Sequence, residues 1–188
     1  HSTARPNDTP APMPVIRRAT AGDAPALAEF AARTFVDTFG AFTTDADLAL
    51  FLQMAYGAQQ QGAEIADPAV DVFLAEEDGV LAGFAQLRDG PAPDCVTDEA
   101  PIELWRFYVD RPWQGRGIAR ALMEVVAQQA SARRATSIWL SVWEENVRAQ
   151  AFYAKSGFRQ AGTKDFIVGS DIQTDWVMVR SLRQAPGA

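Results

Sequence analysis

Between Ile102 and Trp143 the chain runs strand, glycine turn, helix and strand, and this order limits the fold more than any other feature. Ile102 to Val109 reads as an apolar, aromatic-rich strand, and Arg111-Pro112-Trp113-Gln114-Gly115-Arg116-Gly117 as a turn. Ile118, Ala121, Leu122, Val125 and Val126 then recur on one side of a helix from Gly117 to about Ser131. Thr136 to Trp143 is a second, largely apolar strand. Strands joined by a helical crossover of this length lie parallel, with a right-handed connection, and such strands are buried on both faces.

The turn carries chemistry as well as direction. Gly115 and Gly117 have no Cβ, so successive backbone N–H groups can converge on an anion where the chain enters a helix. A diphosphate is a fitting ligand, although a glycine pair also serves tight turns and close packing with no ligand at all. A P-loop would end in Gly-Lys-Ser/Thr, and Gly117-Ile118-Ala119 has neither the lysine nor the hydroxyl. A dinucleotide fingerprint wants a small residue where Arg120 stands, although Glu144 after the next strand imitates its ribose-binding acid; nicotinamide-dependent oxidoreduction stays as a demoted alternative.

The flanking segments fill out a mixed sheet. Val15 to Arg18 is a short strand, and Asp23 caps a helix in which Ala24, Leu27, Phe30, Ala31, Thr34, Phe35 and Phe39 keep helical spacing. A second helical stretch from Thr44 to about Tyr56 presents Leu48, Leu50, Phe51, Leu52 and Met54 mainly as core, with the wall of a substrate pocket as the alternative for this aromatic-rich helical pair, and 57–68 reads as a helix end and loop. Asp71 to Ala75 and Val80 to Leu87 form an antiparallel hairpin around Asp78-Gly79. Asn146 caps a helix through Lys155 that Gly157 ends, and Phe158 to Val168 and Thr174 to Leu182 close the chain as an antiparallel pair.

With 188 residues, 48% hydrophobic and 22% charged, the chain can bury one well-formed core, and a single domain over residues 13–184 is expected. Residues 1–12 are polar and proline-rich, a disordered tail or expression remnant before a start at Met13, and 185–188 are a flexible end. The formal net charge of −7 argues against a nucleic-acid partner and suits a cationic substrate. No apolar run reaches the roughly 20 residues of a spanning helix and no signal peptide is evident, so no membrane and a cytoplasmic location are expected. The one cysteine, Cys95, can form neither an intramolecular disulfide nor a cysteine metal cluster.

The only histidine, His1, lies in that tail, which makes histidine general-base chemistry, Ser-His-Asp hydrolysis and His-ligated zinc improbable in this chain; no metal is expected. Acid and base must then come from carboxylate, tyrosine, lysine or cysteine.

Two motifs make the chain recognisable: Gln114-x-x-Gly117-x-Ala119, and the segment from Asn146 through Phe152-Tyr153-Ala154-Lys155 to Ser156-Gly157-Phe158. Together, one strand apart, they resemble the GCN5-related N-acetyltransferase (GNAT) superfamily over nearly all the chain after Met13. A narrower likeness to the PaiA-like branch rests on Ser141-Val142-Trp143-Glu144-Glu145-Asn146, the stretch from Gly169 to Asp175, Val177-Met178, and Thr34 to Phe39 with Tyr56.

The resemblance implies an α/β (α+β) fold: a mixed central sheet of about six to seven strands, antiparallel at its N-terminal side, with flanking helices. Its central parallel pair, Ile102–Val109 and Thr136–Trp143, would splay apart with a bulge on the first strand, a bulge the sequence does not reveal. It implies acetyl-coenzyme A as co-substrate, its pyrophosphate held by backbone amides of Gln114, Gly115, Arg116, Gly117, Ile118 and Ala119. The pantetheine arm would pair with Phe107, Tyr108 and Val109 and touch Asn146, which also reads as a plain helix cap.

By the same resemblance Tyr153 protonates the departing thiolate. With ordinary pKa values near 10 for tyrosine and about 8.5 for a thiol, a phenol is a competent donor at neutral pH. The structural alternative is a core tyrosine beside Phe152. Glu103, eleven residues before Gln114, stands where several relatives carry a glutamate base; an ion pair to Arg106 or another arginine is equally compatible. Trp105 and Trp113 line the site or pack, and Arg116, Arg120 and Lys155 are candidates to neutralise phosphate.

The expected activity is direct transfer of acetyl to a primary amine of a small molecule, polyamines included, in a ternary complex. Asp37, Asp45, Asp47, Asp171 and Asp175 either attract a cation or sit on the surface. A non-catalytic acyl-coenzyme A sensor is the competing reading. A strand-exchanged homodimer is among the assemblies the superfamily offers.

Overall fold

The structure is a computed structural model that describes residues 13–41 and 43–183; the expected tail at 1–12 and the expected flexible end at 185–188 lie outside the described residues. Its centre is one seven-stranded sheet. In chain order the strands are β1 (Val15–Arg18), β2 (Val70–Glu77), β3 (Val80–Arg88), β4 (Pro101–Val109), β5 (Ser137–Trp143), β6 (Arg159–Val168) and β7 (Asp171–Ser181). They lie side by side as β1-β2-β3-β4-β5-β7-β6, antiparallel except for β4 and β5. The Asp78-Gly79 turn takes φ of 52° and 75°, the left-handed pair that a two-residue hairpin needs.

Five helices cover the sheet: α1 (Ala24–Phe39), α2 (Asp45–Tyr56), α3 (Ala58–Ala66), α4 (Ile118–Ala132) and α5 (Val147–Lys155). Among the described residues, none is long and apolar enough to cross a membrane. Strand alternation divides the buried residues between the two faces of the sheet, in two large clusters and a smaller one of Val96, Trp139, Val177 and Val179. Ile102, Leu104, Ile138, Leu140 and Val142 point to the face covered by α4, where Leu122, Met123, Val126 and Ala130 meet them and Tyr153 and Phe158 join from α5 and beyond. Leu74 and Phe84 point the other way, into Leu27, Phe30 and Phe35 of α1 and Tyr56 of α2.

Two expectations need correction. Residues 57–68 are not mainly loop: α3 occupies Ala58–Ala66 because Gln61 and Glu64 have buried polar partners, which apolar periodicity cannot register. Nor is α2 mainly core. Leu48 is buried, but Leu50 and Met54 are 51% and 71% exposed, at the rim of a large cavity between α1, α2 and the sheet.

Candidate active site

β4 and β5 pair for three residues only, Pro101–Glu103 against Ser137–Trp139, and then separate. A bulge opens the gap. Gln86 pairs with Arg106 and Leu87 with Leu104, so Trp105 is the extra residue on β4 without a partner on β3. One extra residue reverses the alternation: Glu103 and Arg106 both face the α1–α3 side, whereas Phe107 turns to the opposite face and packs on Phe152 and Tyr153. Beyond Glu103 the β5-facing edge of β4 has no strand beside it. A cavity of about 1210 Å³ occupies the divergence.

At the outer end of β4 the Gln114 side-chain amide donates to the Val109 carbonyl (3.0 Å), which holds the turn against the strand. Gly115 and Gly117 sit at φ of 80° and 83°, a conformation that side chains with a Cβ resist. A Cβ built on either would meet nothing within 4 Å, so the glycines answer to backbone conformation and not to crowding. Gly117 is the N-cap of α4 and no side chain caps that end, so the first turn keeps N–H groups without a side-chain partner beside the cavity that Gly117 and Ala119 line. This donor set fits a coenzyme pyrophosphate, and the open edge of β4 fits an amide-bearing arm.

Of the twelve catalytic and coenzyme-binding residues expected from sequence, ten line the cavity: Glu103, Phe107, Tyr108, Val109, Gln114, Gly115, Gly117, Ala119, Asn146 and Tyr153. Two do not. The Ile118 side chain is buried under the sheet with Leu122, so only its backbone can serve the turn. The Arg116 side chain leans over Trp113 and toward Glu77, 4.0 Å away. Asn146 caps α5, its carbonyl oxygen accepting from the Ala149 N–H. Gln150, which sequence reasoning missed, donates to the Trp143 and Glu144 carbonyls and pins α5 to the end of β5.

Tyr153 is buried among Phe107, Phe152 and Phe158, and burial pushes its phenol well above the ordinary tyrosine value. It therefore remains a proton donor throughout the neutral range. Glu103 is paired with Arg88 and not with Arg106: Arg88 Nε and Nη2 donate to its two carboxylate oxygens, because Arg88 is its register partner on β3. Arg106 instead donates to Glu64 (2.8 Å) and Gln86 (2.7 Å). The bulged Trp105 ring lies between the two guanidiniums, Arg88 at 3.7 Å and Arg106 at 3.8 Å from its centroid.

The far wall, toward α1 and β6, is aromatic. Phe39, Trp143 and Phe166 meet there, with Phe39 5.3 Å from Trp143 and 6.0 Å from Phe166. Of the acidic residues expected to attract a cation or lie on the surface, Asp37 and Asp175 line the cavity. Asp47 accepts from the Ser170 N–H and hydroxyl and clasps the β6–β7 turn.

The acetyltransferase (GNAT) family model matches residues 30–158. An uncharacterized N-acetyltransferase of Mycobacterium tuberculosis is 35% identical over 160 residues, 85% of this chain and 98% of that protein. The spermine/spermidine N(1)-acetyltransferase of Bacillus subtilis is 31% identical over 90 residues, 47% of this chain and 59% of that protein. In fold, the chain resembles the crystal structure of the PaiA N-acetyltransferase from Thermoplasma acidophilum in complex with coenzyme A, with a TM-score of 0.72 and 19% identity over 90% of this chain and 99% of that one. The splayed strand pair, the glycine turn and these relationships agree: the chain belongs to the GNAT family of acetyltransferases.

Proposed function

We propose that the protein transfers the acetyl group of acetyl-coenzyme A directly to a primary amine of a small molecule bound in the same cavity, in a cytoplasmic setting. The reading rests on one arrangement: a turn of uncapped backbone donors at one end of the β4–β5 gap and, lining the same cavity, a phenol whose pKa burial raises and which is therefore protonated at neutral pH. Acetyl-coenzyme A supplies the activated acetyl group. Backbone amides from Gln114 to Ala119 hold its diphosphate, and the free edge of β4 at Phe107 to Val109 aligns its arm. Glu103, or a water it orients, takes the proton of the acceptor ammonium, and a β4 amide stabilises the oxyanion. Tyr153 protonates the departing sulfur. The apolar and aromatic wall favours an amine on an organic stem, and the Bacillus relative supports polyamines as the first acceptors to try.

Thiol release from acetyl-coenzyme A, followed with a panel of amines that includes spermidine, amino acids and aminoglycosides, tests the reading. Amine-dependent thiol release is expected, and Tyr153→Phe lowers kcat about 100-fold or more while the coenzyme still binds. Thermal stabilisation by coenzyme A with no thiol release for any amine would overturn the transferase in favour of an acyl-coenzyme A sensor.

A further inference from the structure

Asp175 is a carboxylate that the fold has no evident reason to bury. It lies in the middle of β7, opposite Trp143 on β5 and Lys164 on β6, and only 5% of its surface is exposed. Its Oδ1 is buried with no hydrogen-bond partner, and among the described residues it makes no ion pair. Leaving a carboxylate dehydrated and unpaired is costly, so a structural role would have come with a partner. Asp175 is instead one of the residues that line the cavity.

Strand register places it on the same face of the sheet as Glu103. Glu103 is opposite Trp139, and Trp143 lies four residues further along β5 on the same face and opposite Asp175. Asp175 and Glu103 therefore share the α1–α3 face of the sheet, separated along the strand by about 13 Å. The Trp143 ring beside Asp175 touches Phe39 of α1. A carboxylate whose cross-strand neighbour is a tryptophan packed on a phenylalanine is a receptor for an organic ammonium.

We infer that Asp175 is the acceptor-binding carboxylate of this cavity, holding a cationic amino group of the acceptor against the Trp143 and Phe39 rings. The role rests on the acetyltransferase reading above, which leaves proton removal to Glu103. Asp175 decides which amines enter. Burial raises its pKa to about 6, Glu144 adds to the rise, and Lys164 opposes it. Lys164 stands directly across on β6 with its ammonium 5.6 Å over the Trp139 ring. The other charged residues that line the cavity are Asp37 and Arg148, the Arg88–Glu103 and Arg106–Glu64 pairs, and Asp110, Arg111 and Arg120 near the glycine turn. The site is thus an anion at pH 7.5 and largely neutral at pH 5.

Calorimetric titration of n-hexylamine into protein saturated with coenzyme A tests this without turnover, with n-hexanol as the uncharged control. At pH 7.5 Asp175→Asn is expected to weaken hexylamine about 10-fold or more, the scale of one charged hydrogen bond, and to leave hexanol unchanged. The wild-type advantage disappears at pH 5, whereas the variant's affinity is flat between the two. Lys164→Met, which removes the competing cation, tightens hexylamine. Equal hexylamine affinity in wild type and Asp175→Asn, with both folded by melting temperature, overturns the assignment. Failure of the wild type to release thiol with any amine would sink the transferase reading alone and leave this binding difference standing.

Discussion

Arg88 stacks its guanidinium 3.7 Å over the ring of Trp105, the one residue by which β4 outruns β3, while donating to both oxygens of Glu103. Arg106 covers the same ring at 3.8 Å. The bulge beside the β4–β5 gap is therefore held by two cations on one indole. Trp105→Ala removes both stacks and loosens the Glu103 pair. Stability falls by about 1–3 kcal/mol in urea unfolding, and the acceptor KM rises more than the KM for acetyl-coenzyme A.

Gly117→Ala isolates backbone conformation from crowding. A φ of 83° costs an alanine about 1–2 kcal/mol, although its Cβ would meet nothing within 4 Å. If the turn relaxes to avoid that strain, its N–H groups no longer converge. Coenzyme A affinity measured by calorimetry falls about 10-fold, while amine binding to the apo protein is unchanged.

Glu64 and Arg106 form an ion pair with both side chains buried, and Gln86 bridges them. Glu64→Ala strands the guanidinium in the interior and costs about 3–5 kcal/mol. The double variant Glu64→Leu with Arg106→Met recovers most of that loss, because the pair repays little more than its own desolvation. Urea midpoints of the wild type, Glu64→Ala and the double variant decide it.

Asp175 gives stability a pH signature of unusual sign. Its folded pKa of about 6 lies above the ordinary 3.8, so the folded state holds the proton more tightly and stability is lost as pH rises from 4 to 6. At pH 7 this amounts to at most about 3 kcal/mol. Asp175→Asn is accordingly more stable than wild type at pH 7, with an advantage that vanishes near pH 3. A variant less stable than wild type at pH 7 would mean that the carboxylate is structurally paired.

Much of this protein is legible in its residue order. The Asp78-Gly79 hairpin, the glycine turn into α4 and the Asn146 cap are local signals, because each depends on a few neighbouring residues, and the structure places them as the order of residues implies. The strand-helix-strand order demanded a parallel pair, and β4 and β5 are the parallel pair. Tyr153 and the turn stand out in the sequence because they belong to the two motifs that carry the family resemblance.

What tertiary structure alone decided depends on partners distant in sequence. Period-two alternation puts Glu103 and Trp105 on one face and Arg106 on the other; the Trp105 bulge cancels it, turns Arg106 toward Glu64 of α3 and leaves Glu103 to Arg88. α3 is held by Gln61 and Glu64 meeting Gln86, contacts between polar residues that carry no periodic signature. In the sequence Asp175 is one acidic residue among many. Only when β7 enters beside β5 does it lose its water, and desolvation, a property of the assembled interior, turns an ordinary aspartate into an unpaired anion at the end of the cavity.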